Sequence, residues 1–475
     1  MRIAFIPSAY RTVVARELAV RFERAGHSVY WLCPNRRWTR WLIEHGVEPG
    51  QILDITRYAQ EWLEAGDDTN GERAELHALE RKSGWNIHDL IASDHLLARR
   101  DTDYAVRYLA TCARHARRFL QEHAIELITG EMTWAFEQII GHVAVELGVT
   151  FVRPMDVRVP HDRTGFFRDR KEQDMVELRA TTSADRTEAR ALLKAYREKP
   201  RQPAYMSLNQ SVLRANSDRI KLLTKHVVDL ALDPYDETSR RPLGLIADHS
   251  KQVLRTLING KLGPFEMPDD QPKRPFVLVT LHLQPEMTID VMASPLCNQI
   301  ATTEALARTL PVTHDLYVKE HIVALGRRPP GVYAALRAIP GVRLIDPRAH
   351  TFRLIQQASL TVAATGTAVY EASLLGRPGV TMGPTVFSPI VVSDRFNPFV
   401  DSLGETIERC AGKNPHNDEE IVEFLAWLFA QTVPGAGGDA LWQPYAMDPA
   451  YLDSVADGFF TLFASLSASK RAAAE

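Results

Sequence analysis

The run Val362-Ala363-Ala364-Thr365-Gly366-Thr367-Ala368-Val369-Tyr370-Glu371-Ala372 holds the residues most suited to chemistry. An apolar strand pattern ends in a turn of small residues and opens at once into a helix pattern. Such a turn leaves backbone N–H groups without intrahelical acceptors and aims them at one point, which suits a phosphate. Thr365 and Thr367 add hydroxyls, and Gly366 lets a ligand approach the backbone. Glu371 lies one helical turn beyond Thr367, on the same face, where a carboxylate can accept from ribose hydroxyls. The competing reading is a threonine-capped helix of an ordinary α/β protein.

Two further loops should share that sheet edge. One is His282-Leu283-Gln284-Pro285-Glu286, running on to Ser294-Pro295; the other is Lys319-Glu320-His321. A cation, an imidazole and a capped helix at one edge suit a phosphate leaving group, whose developing charge they would stabilise. Read without that context, Lys319-Glu320 is a surface ion pair and His321 a histidine satisfied by backbone.

The elements needed to position these loops are legible. Ile3 to Ile6, Ser28 to Cys33, Ile125 to Thr129 and Val149 to Val152 read as strands, and Arg11 to Arg24 and Trp134 to Leu147 as helices. Gly26 stands where a helix C-cap belongs. A second alternation starts at Pro275. Its strands Phe276 to Leu281, Asp315 to Val318, Val342 to Ile345, Leu360 to Ala363 and Gly379 to Met382 are nearly continuous apolar runs, as buried parallel strands are. The expected fold is therefore α/β with two Rossmann-like domains facing across a cleft. The first spans 1–170 and would hold the acceptor. A helical insertion and linker occupies 171–270, the second domain spans 271–445, and a C-terminal helix and tail fills 446–475. Ligands in such sheets gather at the carboxyl ends of the strands.

On the first domain, Glu131, Asp156 and His161 follow strand patterns and are the candidates for a general base. Glu131 comes first of these, against the reading that it complements the dipole of the following helix. Arg153, Arg158, Arg163, Arg168 and Arg170 offer charge for an anionic acceptor or a sugar carboxylate. The arginine-rich stretches Asn35 to Trp38 and Arg163 to Arg170 otherwise read as solvated surface.

Composition narrows the class. A chain of 475 residues with a formal net charge of −3 carries no broad nucleic-acid footprint. Four scattered cysteines without a CxxC pair fit a reducing compartment and signal no zinc site. The apolar start is too short for a signal peptide, and no segment approaches a membrane span, so a cytoplasmic location is expected, with peripheral contact at the inner membrane face left open. Asp233-Pro234-Tyr235-Asp236 is only loosely a carboxylate pair and reads as a turn.

Taken in order, Leu283-Gln284-Pro285-Glu286, Ser294-Pro295, Leu316 to His321 and Thr365 to Val380 resemble bacterial capsule and surface-polysaccharide glycosyltransferases of the GT-B fold. That group includes transferases of 3-deoxy-manno-octulosonic acid (Kdo). The matched blocks cover about a quarter of the chain, all in its second half. The family commonly shows Lys-Glu-His-Pro; here Ile322 replaces the proline. The resemblance implies transfer of a sugar, from a CMP donor first and a UDP donor next, to a surface glycan or its lipid-linked precursor. No metal or other cofactor is implied. On it, Lys319, Thr365, Gly366, Thr367, Glu371, Gln284 and Glu286 would bind the donor, and His321 would act in catalysis. The rival readings are a UDP-sugar 2-epimerase of the same fold and a non-catalytic protein of polysaccharide assembly.

Overall fold

A computed structural model describes residues 1–64, 68–200, 233, 235–238, 242–410, 413–436, 438–440 and 443–474. The helical reading of 201–232 lies outside these residues, as does Pro234.

The first sheet has seven strands in the order β12-β6-β5-β4-β1-β2-β3. Its strands are β1 (Arg2–Phe5), β2 (Ser28–Cys33), β3 (Ile52–Asp54), β4 (Leu127–Thr129), β5 (Thr150–Asp156), β6 (Arg163–Phe167) and β12 (Thr432–Pro434). Strands β3-β2-β1-β4-β5 run parallel, β6 joins β5 antiparallel, and β12 joins β6 antiparallel. The second sheet has five parallel strands in the order β11-β10-β7-β8-β9: β7 (Phe276–Thr280), β8 (Asp315–Lys319), β9 (Val342–Ile345), β10 (Leu360–Ala363) and β11 (Gly379–Thr381). Both parallel cores thus place their first strand between their second and fourth. Each has a topological switch point, at β1/β4 and at β7/β10, where loops diverge and ligands bind. This is the expected α/β, GT-B layout of two Rossmann-like domains.

Local sequence explains the elements. In helix Arg11–Arg24, Val14, Leu18 and Phe22 are buried at helical spacing, and Gly26 follows the helix at φ +83°. Phe276, Val277, Leu278 and Val279 are buried on both faces of β7, as a central parallel strand requires.

One arginine-rich stretch departs from its surface reading. Arg163 to Phe167 is the strand β6, with Phe166 and Phe167 fully buried. The Arg163 guanidinium donates to the Thr432 hydroxyl at 2.8 Å and to the Thr432 carbonyl at 2.6 Å, tying β6 to β12. Asn35 likewise is a buried cap, accepting from the Trp38 amide at 3.0 Å. A strand so rich in arginine escapes detection because its partner lies far along the chain. The chain therefore returns to the first sheet at Thr432, inside the range read as second domain. Helix Pro449–Ala474 then packs on helix Arg11–Arg24, with Phe459 and Phe463 against Phe22.

The two domains share apolar core. Val157, Val159 and Phe167 of the first sheet's side pack in one cluster with Tyr370, Phe387 and Phe424. Helix Ser183–Glu198 joins that cluster through Ala189, Leu193 and Tyr196, lying against helix Asp418–Ala430.

Candidate active site

The loops after β7, β8 and β10 converge on a cavity of about 640 Å³. His282, Glu286, Lys319, His321, Thr365, Gly366, Thr367 and Glu371 all line it. Gln284 does not. Its amide instead bridges loops, donating to Asp290 at 2.9 Å and accepting from Gln299 at 2.6 Å.

Gly366 caps helix Thr367–Leu374 with extended backbone. Among the described residues, the amides of Gly366, Thr367 and Ala368 have no protein acceptor, as first-turn amides of a helix do not. Thr365 differs from expectation, because both of its donors are already used. Its amide donates to His282 Nε2 at 3.3 Å and its hydroxyl to the Thr288 carbonyl at 2.6 Å. The need for glycine at 366 is one of space. An added Cβ would lie 3.1 Å from Ala363 Cβ and 3.3 Å from His282 Nε2.

His282 is a site residue that sequence reasoning left in a loop without a role. Its Nε2 accepts from Thr365, so Nδ1 carries the proton toward the Thr288 hydroxyl at 3.3 Å. Thr288 in turn donates to Glu286 at 2.8 Å. Burial, with Arg158 and Arg328 nearby, pulls the His282 pKa down to about 3, so the ring is neutral. Adjacency to the apolar strand β7 was the available signal.

His321 caps the turn Ile322–Gly326. Its Nδ1 accepts from the Val323 amide at 3.3 Å, which leaves Nε2 as the protonated nitrogen. Burial first, then Lys319, Arg327 and Arg328, lowers its pKa to about 4. A neutral imidazole with a fixed N–H donor results. Lys319 pairs in register with Thr280 at the strand ends, and its ammonium donates to the Pro347 carbonyl at 2.9 Å. Burial brings its pKa down to about 8, against the pull of Glu320, Asp346 and Glu371.

Glu320 does not pair with Lys319. It is fully buried in a two-pronged ion pair with Arg328, at 2.7 and 2.9 Å. Arg328 also donates to the His282 carbonyl at 2.6 Å, so one guanidinium locks the β7 and β8 loops together. Nothing in sequence marked Arg328, eight residues beyond its partner.

Glu371 is 8 % exposed and makes no hydrogen bond or ion pair among the described residues. Burial lifts its pKa to about 8, opposed by Lys319. A buried carboxyl aimed at a cavity without a partner is the feature that most invites a ligand.

Among the described residues of the first domain, Arg158 alone reaches this lining. It sits at φ +66°, a conformation an arginine seldom adopts. Its neighbours hold it there: Val157 and Val159 are buried, and the Val159 carbonyl accepts from the Tyr370 hydroxyl at 2.7 Å. Its guanidinium pairs with buried Glu172 at 3.1 Å. Arg153 is fully buried and donates to the Asp169 carbonyl at 2.8 Å, and Arg168 and Arg170 pair with Asp174 and Asp89.

The first-domain acid/base candidates lie apart from the cavity lining. Glu131 pairs with Arg11 at 2.5 Å and accepts from Ser8 at 3.2 Å, beside a small apolar pocket at the ends of β1 and β4. The carboxylate at the start of the next helix is Glu137 rather than Glu131, accepting from the Thr133 amide at 2.7 Å. Asp156 accepts from Gln443 at 3.1 Å. His161 lies in the loop between β5 and β6. Asp236 accepts from the Thr238 amide at 2.8 Å, the bonding of a turn, whereas Asp233 accepts from the distant Arg36 amide at 2.6 Å, at the start of the helix Arg36–Glu44. Among the described residues, no group of three His, Cys, Asp or Glu side chains is placed to hold a metal ion. None of their helices is long and apolar enough to cross a membrane.

No protein-family model matches the chain, and no curated protein matches it. Among solved structures, the β-Kdo 2,7-transferase KpsC of Thermosulfurimonas dismutans aligns over 68 % of this chain and 83 % of its own, at 11 % identity and TM-score 0.32. The UDP-GlcNAc 2-epimerase of Methanocaldococcus jannaschii, in complex with UDP-GlcNAc and UDP, aligns over 90 % and 99 %, at 11 % identity and TM-score 0.27. The calicheamicin glycosyltransferase CalG4 aligns over 96 % and 98 %, at 15 % identity and TM-score 0.27.

Proposed function

We propose that this chain is a nucleotide-sugar-dependent glycosyltransferase, moving a sugar onto a bacterial surface polysaccharide or its lipid-linked precursor. The observation that carries the reading is the convergence of acceptor-free amides at 366–368, Lys319, His321 and unpartnered Glu371 on one cavity. In this reading the amides and Lys319 hold the donor phosphate, and Glu371 takes the ribose hydroxyls. The neutral His321 donates a hydrogen bond to the departing phosphate as charge builds on it. Arg158 meets the sugar across the cleft, which favours an acidic sugar on a CMP donor; a UDP donor is the second choice. Glu131 is the proposed base, released from Arg11 when acceptor binds.

The test is to incubate nucleotide sugars with and without a polysaccharide acceptor and follow both sugar and nucleotide. CMP- or UDP-sugar consumption that depends on acceptor supports transfer. Epimerised sugar formed without acceptor would replace this reading with the 2-epimerase. A Glu131→Gln variant that binds nucleotide but does not transfer sugar supports the base assignment; full activity would pass it to Asp156 or His161.

A further inference from the structure

The helix Pro242–Leu262 braces the candidate active site with one face. Its Asn259 side chain donates to the Leu325 carbonyl at 2.6 Å. At Gly326 an added Cβ would lie 2.2 Å from the Thr256 hydroxyl and 2.4 Å from the Gln252 carbonyl, so helix and turn meet backbone to backbone. That turn, Ile322–Gly326, is the one His321 caps.

Among the described residues, the outer face of the same helix is left open. Leu254, Leu257 and Ile258, spaced i, i+3 and i+4, are 59 %, 40 % and 47 % exposed. The stretch from Ser250 to Gly263 contains Lys251, Arg255 and Lys261 and no acidic residue. Beside it opens a second cavity of about 570 Å³, lined by Arg255, Arg328 and Arg337 with no carboxylate in the lining. Arg328 is held by Glu320, whereas Arg255 and Arg337 form no hydrogen bond or ion pair among the described residues.

We infer that this face docks on an anionic lipid surface, with the leucines and isoleucine in the interfacial layer and Arg255 and Arg337 against headgroup phosphates. Apolar residues on one stripe with cations beside them are what an interfacial helix presents to anionic lipid. A second copy of the chain fits less well, because a two-fold contact through this face would set its cations against one another. Docked this way, the helix would fix the turn under His321 and hold the sugar-transfer cavity at a set place relative to the bilayer. The inference stands on the helix and its cavity and does not depend on which sugar is moved.

The experiment is co-sedimentation of the full chain with vesicles of phosphatidylcholine alone and with vesicles containing about a quarter phosphatidylglycerol. Binding to the anionic vesicles should exceed binding to the neutral ones by roughly tenfold or more. Leu254→Gln/Leu257→Gln/Ile258→Gln and, separately, Arg255→Gln/Arg337→Gln should each weaken it by roughly tenfold, with nucleotide affinity unchanged as the check on folding. Equal binding to both vesicle types, or wild-type binding by both variants, overturns the inference. So does a concentration-dependent dimer that the apolar triple variant abolishes, since a second copy would then cover the face.

Discussion

The two domains repeat one strand order, yet their switch points are finished differently. At β1/β4, Glu131 is paired with Arg11 and Ser8, Glu137 accepts from the Thr133 and Trp134 amides just before the next helix, and Asp94 accepts from that helix's first amide, Ala135. At β7/β10, the amides of 366–368 and the carboxyl of Glu371 are left without partners among the described residues. Buried polar groups are ordinarily satisfied, because leaving one unmade costs about 1–3 kcal/mol. Glu137 Oε1 is also buried without a partner, but it is Glu371 that faces the larger cavity, and the proposed ligand site rests on that difference.

The largest way to break the contrast is to fill the space at 366. In Gly366→Val the new side chain presses on Ala363 and on the His282 ring that holds Thr365. Nucleotide affinity should fall by roughly a hundredfold or more, equivalent to losing two or more charge-assisted hydrogen bonds. Calorimetric titration of the folded variant checks this, and unchanged affinity would remove the phosphate site from this turn.

Next in size is the leaving-group donor. His321→Ala should lower the transfer rate by about 10²-fold while nucleotide binding changes much less. Rate and KM measured separately distinguish this from a general loss of binding.

A smaller effect sharpens the role of Glu371. Its folded-state pKa of about 8 lies above the ordinary 4.5. Stability from this group is therefore complete below about 4.5 and is lost as pH rises through about 8. Glu371→Gln should flatten that loss, so the melting temperature of the variant gains on wild type between these limits. Lys319 titrates at about 8 and above, outside most of the window. Parallel melting curves across this range would mean that Glu371 is not the buried acid described. A Glu371→Ala variant should bind ribo- and 2′-deoxynucleotides alike, where wild type prefers the ribose form by roughly tenfold.

Much of this was readable in sequence, for reasons that are local. A parallel strand buried on both faces is a run of apolar residues, so β7, β8 and β10 stood out, and with them the loops at their ends. The Thr-Gly-Thr turn is a local pattern as well. What stayed hidden depends on distant partners. Lys319-Glu320 are adjacent, but Glu320 turns to Arg328, and only the packed loops determine that choice. Gln284 looked like a donor ligand and is instead a strut between loops. Arg163 read as surface because β12, which completes its hydrogen bonds, lies 269 residues away. Arg158 was one arginine among five until its backbone, pinned by Tyr370, carried it into the cavity.

The measurement that bears most directly on the central claim is amide hydrogen exchange with and without CMP and UDP, resolved to the peptides spanning 364–372 and 129–137. The account predicts nucleotide-dependent protection at Gly366, Thr367 and Ala368, whose amides would gain a phosphate acceptor, and no change at Gly130 and Glu131. Protection at the first-domain switch point alone, or at neither, would contradict it.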